Sequence, residues 1–283
     1  MELSLEFKNR NYYYWNKSFK AKLIFELNRS KVISLEDEID RVILGGNADV
    51  QQALEVGESS GSLVGTTWLK NENGARIIDE SGYPIVNTER SIIGDALPDF
   101  RLKLNLNFRH QEFLAGMNLT YSKGGQAWNG TLASLNFLGL SQNSAELRTT
   151  TGFVFPGVNL DGSPNTTPVN FGESNGPENL NRWQRYGPGG VGEENIEDAS
   201  FLNLSSVYMS YRFRDVGRIL DHVSVKLYAN NLVSWLPFAG YSPHRSFRDL
   251  DATTGIQLFN LPMNTEIGLS LIHISEPTRP LYI

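Results

Sequence analysis

Cysteine is absent from the 283 residues, which excludes disulfides and thiolate metal sites. No run of roughly 18 apolar residues occurs, so no transmembrane helix is expected. No basic block stands out against a net charge of −6, which argues against nucleic acid as the main partner. The opening "MELSLEFKNRN" carries acids where a signal peptide needs a basic n-region. It is read either as the start of a cytosolic protein or as a piece of a longer exported chain. Only four histidines are present (His110, His222, His244 and His273), and they are scattered. No H-E-x-x-H, G-x-S-x-G or phosphate-loop pattern occurs, so the familiar hydrolase and nucleotide-binding chemistries have no anchor here.

Two-residue periodicity is abundant. In "RLKLNLNFRHQEFLAGMNLTY", residues 101 to 121, Leu102, Leu104, Leu106 and Phe108 alternate with Arg101, Lys103, Asn105 and Asn107. After the Arg109-His110-Gln111 corner the pattern resumes at Phe113, Ala115, Met117, Leu119 and Tyr121. Similar segments run through Leu3 to Phe7, Phe19 to Leu27, Val207 to Phe213, Val223 to Ala229 and Thr265 to Leu269. This is strand periodicity with little competing helical signal, and it predicts an all-β protein.

The connections alternate in length as well. Residues 10–17, 109–111 and 214–221 are short links, whereas 29–98, 123–198 and 232–263 are long. Structureless loops beyond about 12–15 residues are uncommon in compact soluble domains. Short turns at one end and long loops at the other characterise outer-membrane barrels. The long loops are polar and rich in turn residues, including Asp161-Gly162 and Asn175-Gly176. The first of them is expected to hold a local hairpin turning at Asn73-Gly74.

Two architectures satisfy this pattern. In an antiparallel transmembrane β-barrel, the leucine-bearing face meets lipid and the lysine-bearing face meets a wet lumen. Strands of roughly 9–11 residues fit a bilayer crossed at a tilt, and Phe108, Phe113, Tyr121, Phe201, Tyr211 and Phe213 would form interfacial girdles. In a soluble β-sandwich the same aromatics are core. Seven strands would leave open edges in a membrane, so the barrel reading expects further strands before Met1.

The acids of "EENIEDAS" (Glu193, Glu194, Glu197, Asp198) read as a solvated loop-to-strand junction rather than a catalytic or calcium site. "DLDATTG" has its glycine misplaced for an EF-hand. Loop aromatics are the better candidates for ligand contact. Trp128, Trp183, Tyr186, Trp235 and Tyr241 lie in loops or just beyond strand ends, where a flat ring can stack on a sugar or a peptide side chain. The alternative for them is loop packing or girdle. Lumen-facing Lys and Arg could line an anion path or pair with acids across strands.

Six segments resemble one known family, in its order. "NRSKVISL" (28–35) is similar to "NKNKVLSL", and "LEVGESSGSLVG" (54–65) to "LEVGHPIGSFYG". "IIGDALPDFRLKLNLNF" (92–108) resembles the "IGNANPDF" type of strand approach. "IEDASFLNLSSVYMSYRF" (196–213) resembles "IEDGSFLRLKNVTLGYNF", and "VKLYANNLVSWLPFAGYSP" (225–243) resembles "VYASGQNLFTWTDYSGYDP". "LPMNTEIGL" (261–269) is similar to the terminal strand "YPLPRTFTLGLNLKF". The family is that of the SusC/RagA TonB-dependent outer-membrane transporters. The resemblance implies the C-terminal part, residues 1–269, of a larger (about 22-stranded) barrel with long extracellular loops. The plug and early strands would be absent. It also implies import of a glycan, oligosaccharide or peptide across the bacterial outer membrane, a SusD-like surface lipoprotein as partner, and coupling to TonB through the absent N-terminal region. No enzyme activity and no cofactor are implied. "LSLIHISEPTR" (269–279) resembles translated sequencing-library adapter, so residues 270–283 are set apart as a non-native tail. The rival functions are a soluble β-sandwich carbohydrate-binding module and a passive porin.

Overall fold

The computed structural model describes residues 1–11, 17–36, 39–174, 176, 179–187, 190–216, 220–240 and 254–275. The chain opens with β1 (Glu2–Asn11) and β2 (Lys17–Glu26). The first long connection carries β3 (Arg41–Gly46), β4 (Val50–Glu55), β5 (Ser62–Trp68), β6 (Ile77–Ile78) and β7 (Val86–Asp95). Then come β8 (Phe100–His110) and β9 (Phe113–Lys123). The second long connection holds β10 (Gln126–Asn129), α1 (Gly130–Phe137), α2 (Gln142–Leu147), β11 (Val158–Asn159), α3 (Arg182–Arg185) and β12 (Ile196–Asp198). The long strands β13 (Phe201–Val216) and β14 (Leu220–Trp235) follow, then β15 (Ile256–Gln257) and β16 (Glu266–Ser275).

The seven period-two segments form one antiparallel sheet in the order β1-β2-β8-β9-β13-β14-β16. Each strand pairs with the next such segment in the chain, so the long connections all leave from one end of the sheet and the short turns from the other. At the β8–β9 turn Gln111 takes φ 53°, a left-handed conformation that lets two residues reverse the chain. The sheet is all-antiparallel and open among the described residues.

Register keeps the alternation intact across the sheet. Leu5, Leu23, Leu104, Leu119, Leu204 and Val233 fall in one cross-strand row. Phe7, Ala21, Leu106, Met117, Val207, Ala229 and Ile267 fall in the next row on the same face. A one-residue slip would exchange the two faces, so the burial environments of those faces fix the register. A bulge between Leu204 and Ser206 breaks the parity of β13. Phe201 is therefore turned to the polar face, opposite Ser122, and is buried there. Read by alternation alone it belonged to the aromatic girdle, and the bulge is the reason it does not.

The loops expected to be irregular fold into a cap. β3, β4, β5 and β7 make a four-stranded sheet, β10 pairs with β12 and β15, and β6 pairs with β11. The last two pairings cross between connections. Two hydrophobic cores hold the cap together. One joins Trp68, Ile78 and Tyr83 to Phe155, Val169, Phe171, Trp183, Tyr186 and Val191. The other joins Val50 and Leu63 to Trp128, Ala133 and Ile256, so that all three long connections contribute. The hairpin at Asn73-Gly74 is present, with Lys70 bridged to Arg76 and the Gly74 N–H donating to the Asn71 carbonyl at 2.9 Å. Asp161-Gly162 also turns a hairpin, whereas Asn175 lies outside the described residues. β16 runs on through Ser275, so residues 270–275 of the set-apart tail continue the ladder against β14.

Candidate functional site

Among the described residues, none covers the apolar face of the seven-stranded sheet. Leu5 is 73% exposed and Ile267 76%, and Leu3, Phe7, Met209, Tyr211, Phe213, Leu227, Leu269 and Leu271 are exposed on the same face. Buried hydrophobic residues lie almost entirely in the cap. No second sheet stacks on these leucines among the described residues, which removes the sandwich architecture. No helix among the described residues is long and apolar enough to cross a membrane.

The apolar band has aromatic margins. Toward the loop end, Phe25 stacks on Phe100 at 5.7 Å, Phe100 meets Tyr121 at 6.0 Å, and Trp235 shares the row of Phe25 and Tyr121. Toward the turn end lie the pairs Phe7–Phe19 at 6.4 Å, Phe108–Phe113 at 6.5 Å and Tyr211–Phe213 at 4.8 Å. The band is also slanted. Its turn-side limit is Phe7 on β1, Phe19 on β2, Phe108 on β8, Phe113 on β9 and Phe213 on β13. Converted by the register, that is a descent of six residues over four strand steps. At ~3.4 Å per residue and ~4.8 Å per strand, the slope is about 45° to the cross-strand rows.

The opposite face is polar and internally paired. Lys20 and Lys8 bridge to Glu6 at 2.7 and 3.0 Å, and Lys103 to Glu26 at 2.5 Å. One row runs Asn107, Gly116, Tyr208, Tyr228, Gly268. Each tyrosine ring lies across the neighbouring glycine, and a Cβ built on Gly116 would fall 2.6 Å from Tyr208 Cζ. The Tyr208 hydroxyl donates to Asn107 Oδ1 at 2.5 Å, and the Lys226 ammonium sits 4.9 Å from the Tyr208 ring centre. Alternation could not announce these contacts. The glycines interrupting strand patterns were the available signal.

In the cap, α3 is started by Asn181, whose side chain accepts from the Trp183 and Gln184 N–H groups in a capping box. The helix delivers Arg182 into an aromatic box: its guanidinium is 4.9 Å from Trp183, 5.3 Å from Tyr186, 5.4 Å from Phe171 and 5.8 Å from Phe155. Glu194 pairs with it at 2.5 Å. Arg185 lies 4.6 Å over Tyr83. The Tyr186 hydroxyl donates to the Pro84 carbonyl at 2.9 Å, and burial pushes its pKa far above the phenol range.

The acids of "EENIEDAS" each tie a loop. Glu193 accepts from Lys70 at 3.0 Å and from the Trp68 N–H, and Glu197 accepts from Asn129 and from the Ala239 N–H. Asp198 accepts from the Ser200 hydroxyl and N–H, and these bonds, the hydroxyl first, hold its pKa below the usual carboxylate range.

The four described aromatic candidates do not form one cluster, although Trp183 and Tyr186 share a core. Trp128 is 1% exposed in the three-loop core. Trp183 and Tyr186 share the other core, where their rings pack on protein. Trp235 is 53% exposed at the loop-end margin of the apolar face. Tyr241 lies outside the described residues.

An uncovered, slanted apolar face lies beneath a packed cap of long connections, and comparison with known proteins shows what this arrangement is similar to. The chain is 24% identical over 281 residues to the TonB-dependent receptor P3 of Formosa agariphila, matching 90% of this chain and 25% of the receptor. In fold it is similar to the RagAB peptide importer in its "closed-closed" state (TM-score 0.55, 15% identity, 97% of this chain, 29% of that one). It is similar also to the "open-open" state (TM-score 0.52, 15% identity, 97% and 28%). No protein-family model matches. The chain spans about a quarter of the curated relative's length. The resemblance carried by the six segments agrees with these comparisons: in sequence the chain is similar to a TonB-dependent receptor, and in fold to the RagAB importer.

Proposed function

We propose that the seven-stranded sheet is the C-terminal part of a larger transmembrane barrel in the bacterial outer membrane. In this reading it serves TonB-dependent import of a large nutrient, an oligosaccharide or a peptide. The carrying observation is the uncovered apolar face. Leucines left exposed beside a cap that buries its own hydrophobic residues have lipid as their natural solvent. The slant supports this, because strands of such barrels tilt by about 35–45° from the membrane normal. So do aromatic margins, which suit the two interfaces. The polar face, with its paired acids and bases, is the lumen side. Coupling to TonB falls to parts of the whole protein outside this chain. A SusD-like lipoprotein closing over the cap is the partner this reading implies.

Substrate binding falls to the cap, and no covalent step is assigned to it. Trp128, Trp183 and Tyr186 serve the site by holding loop shape, and Trp235 and Tyr241 complete the set of candidates. Residues 270–283 are proposed as adapter-derived, with β16 extended by backbone pairing that many sequences satisfy.

The experiment is uptake by cells carrying the whole gene. Labelled peptides and oligosaccharides should accumulate only with the gene intact and TonB functional. Accumulation that survives loss of TonB favours a passive porin. Release of the protein from cells without detergent overturns the membrane reading.

A further inference from the structure

The cap sheet ends in an open margin. β3 is its outermost strand and, among the described residues, pairs with β4 alone. The middle of β3 reads Val42, Ile43, Leu44, with no charge and no proline to discourage a further strand. These side chains are 37% to 44% exposed, although successive residues of a strand point to opposite faces. In β4, by contrast, Val50 and Ala53 are fully buried. Arg41, at the start of β3, is engaged by Glu55 at 2.7 Å, and a bulge between Ile43 and Gly45 keeps the regular edge short. An unpaired strand edge selects an extended polypeptide, because a second backbone offers donors and acceptors at strand spacing. The place of β1 indicates which polypeptide. A short turn joins β1 to β2, so β1 begins at the loop end. There the Met1 amine donates to the Leu27 carbonyl at 2.7 Å, and the Leu27 N–H donates to the Met1 carbonyl at 2.9 Å. Leu27 is where the first long connection leaves the sheet. Under the membrane reading, on which this inference rests, strands precede β1 and the chain entering it is itself a long connection. Room for such a segment exists in the whole protein, since this chain matches only 25% of the curated receptor. We infer that the connection entering β1 lays a strand along the free edge of β3 and covers Val42, Ile43 and Leu44. The cap already pairs in this way: β6 joins β11 and β10 joins β15, each across two connections. The loop before β1 and the loop after β2 then form one body, so an opening of the cap moves both.

The test uses the whole protein, extracted in detergent, with a photoreactive benzophenone side chain in place of Ile43. After illumination, the linked peptide is mapped by mass spectrometry and should come from the connection that enters β1. Ile43→Lys, which puts a charge on the edge, should speed amide hydrogen exchange in that connection at least about tenfold while β4 keeps its slow exchange. A link to a separate surface protein, a link to another part of the whole protein, or no link overturns the pairing while leaving the membrane reading intact. Exchange in that connection unchanged by Ile43→Lys does the same. A protein that leaves cells without detergent removes the membrane reading and the pairing with it.

Discussion

Replacing Gly116 by alanine tests whether the tyrosine–glycine row locks the sheet's register. Gly116 does not use a left-handed backbone, so alanine meets no conformational objection of its own. Its Cβ would stand 2.6 Å from Tyr208 Cζ and Oη, so the ring must swing away. Tyr208 then loses its hydrogen bond to Asn107, worth about 1 kcal/mol. It also loses the Lys226 contact, worth about 0.5–1 kcal/mol at such a site. Leaving the preferred side-chain angle adds about 0.5–1.5 kcal/mol. The expected loss is about 2–3 kcal/mol. Tyr208→Ser should cost a similar amount by removing the same contacts. In that background Gly116→Ala should cost almost nothing, because the ring it collides with is gone. The double-mutant cycle therefore predicts a coupling of about 2 kcal/mol. It would be measured by guanidinium unfolding of the whole protein in lipid vesicles, with the slope of the transition checked for constancy. Costs that simply add, with coupling under about 0.5 kcal/mol, would refute the lock.

Arg182→Met should loosen the cap by about 2 kcal/mol, since it removes a guanidinium from four rings and strands Glu194; Arg182→Lys should recover part of this through charge alone. Limited proteolysis of the loops on intact cells reads the change, and unaltered protection of both variants would contradict it. Asp198 has a folded pKa below its unfolded value, so its bonds to Ser200 contribute stability above the ordinary carboxylate range, and that stability is lost as pH falls through the lowered value. Asp198→Asn should flatten this acid limb in thermal scans of the cap, and an unchanged limb would place the sensitivity elsewhere.

The seven long strands and the end from which the long connections leave were legible in the sequence; the strand order came with the structure. A strand exposed on both faces to different solvents must alternate, and that pattern is local. The four acids of residues 193–198 sit at the junction the sequence marked, but the partners by which Glu193 and Glu197 tie loops together, Lys70, Trp68, Asn129 and Ala239, are distant in sequence. What only the tertiary structure decided was of two kinds. The bulge at Leu204/Ser206 moved Phe201 to the other face, because one extra residue inverts a parity that sequence spacing cannot see. The cap's cores draw Trp68, Phe171 and Trp183, or Leu63, Trp128 and Ile256, from distant connections with no period to mark them. Which face has no described residue against it likewise emerged only in three dimensions, since alternation reports that two environments differ without saying what fills either.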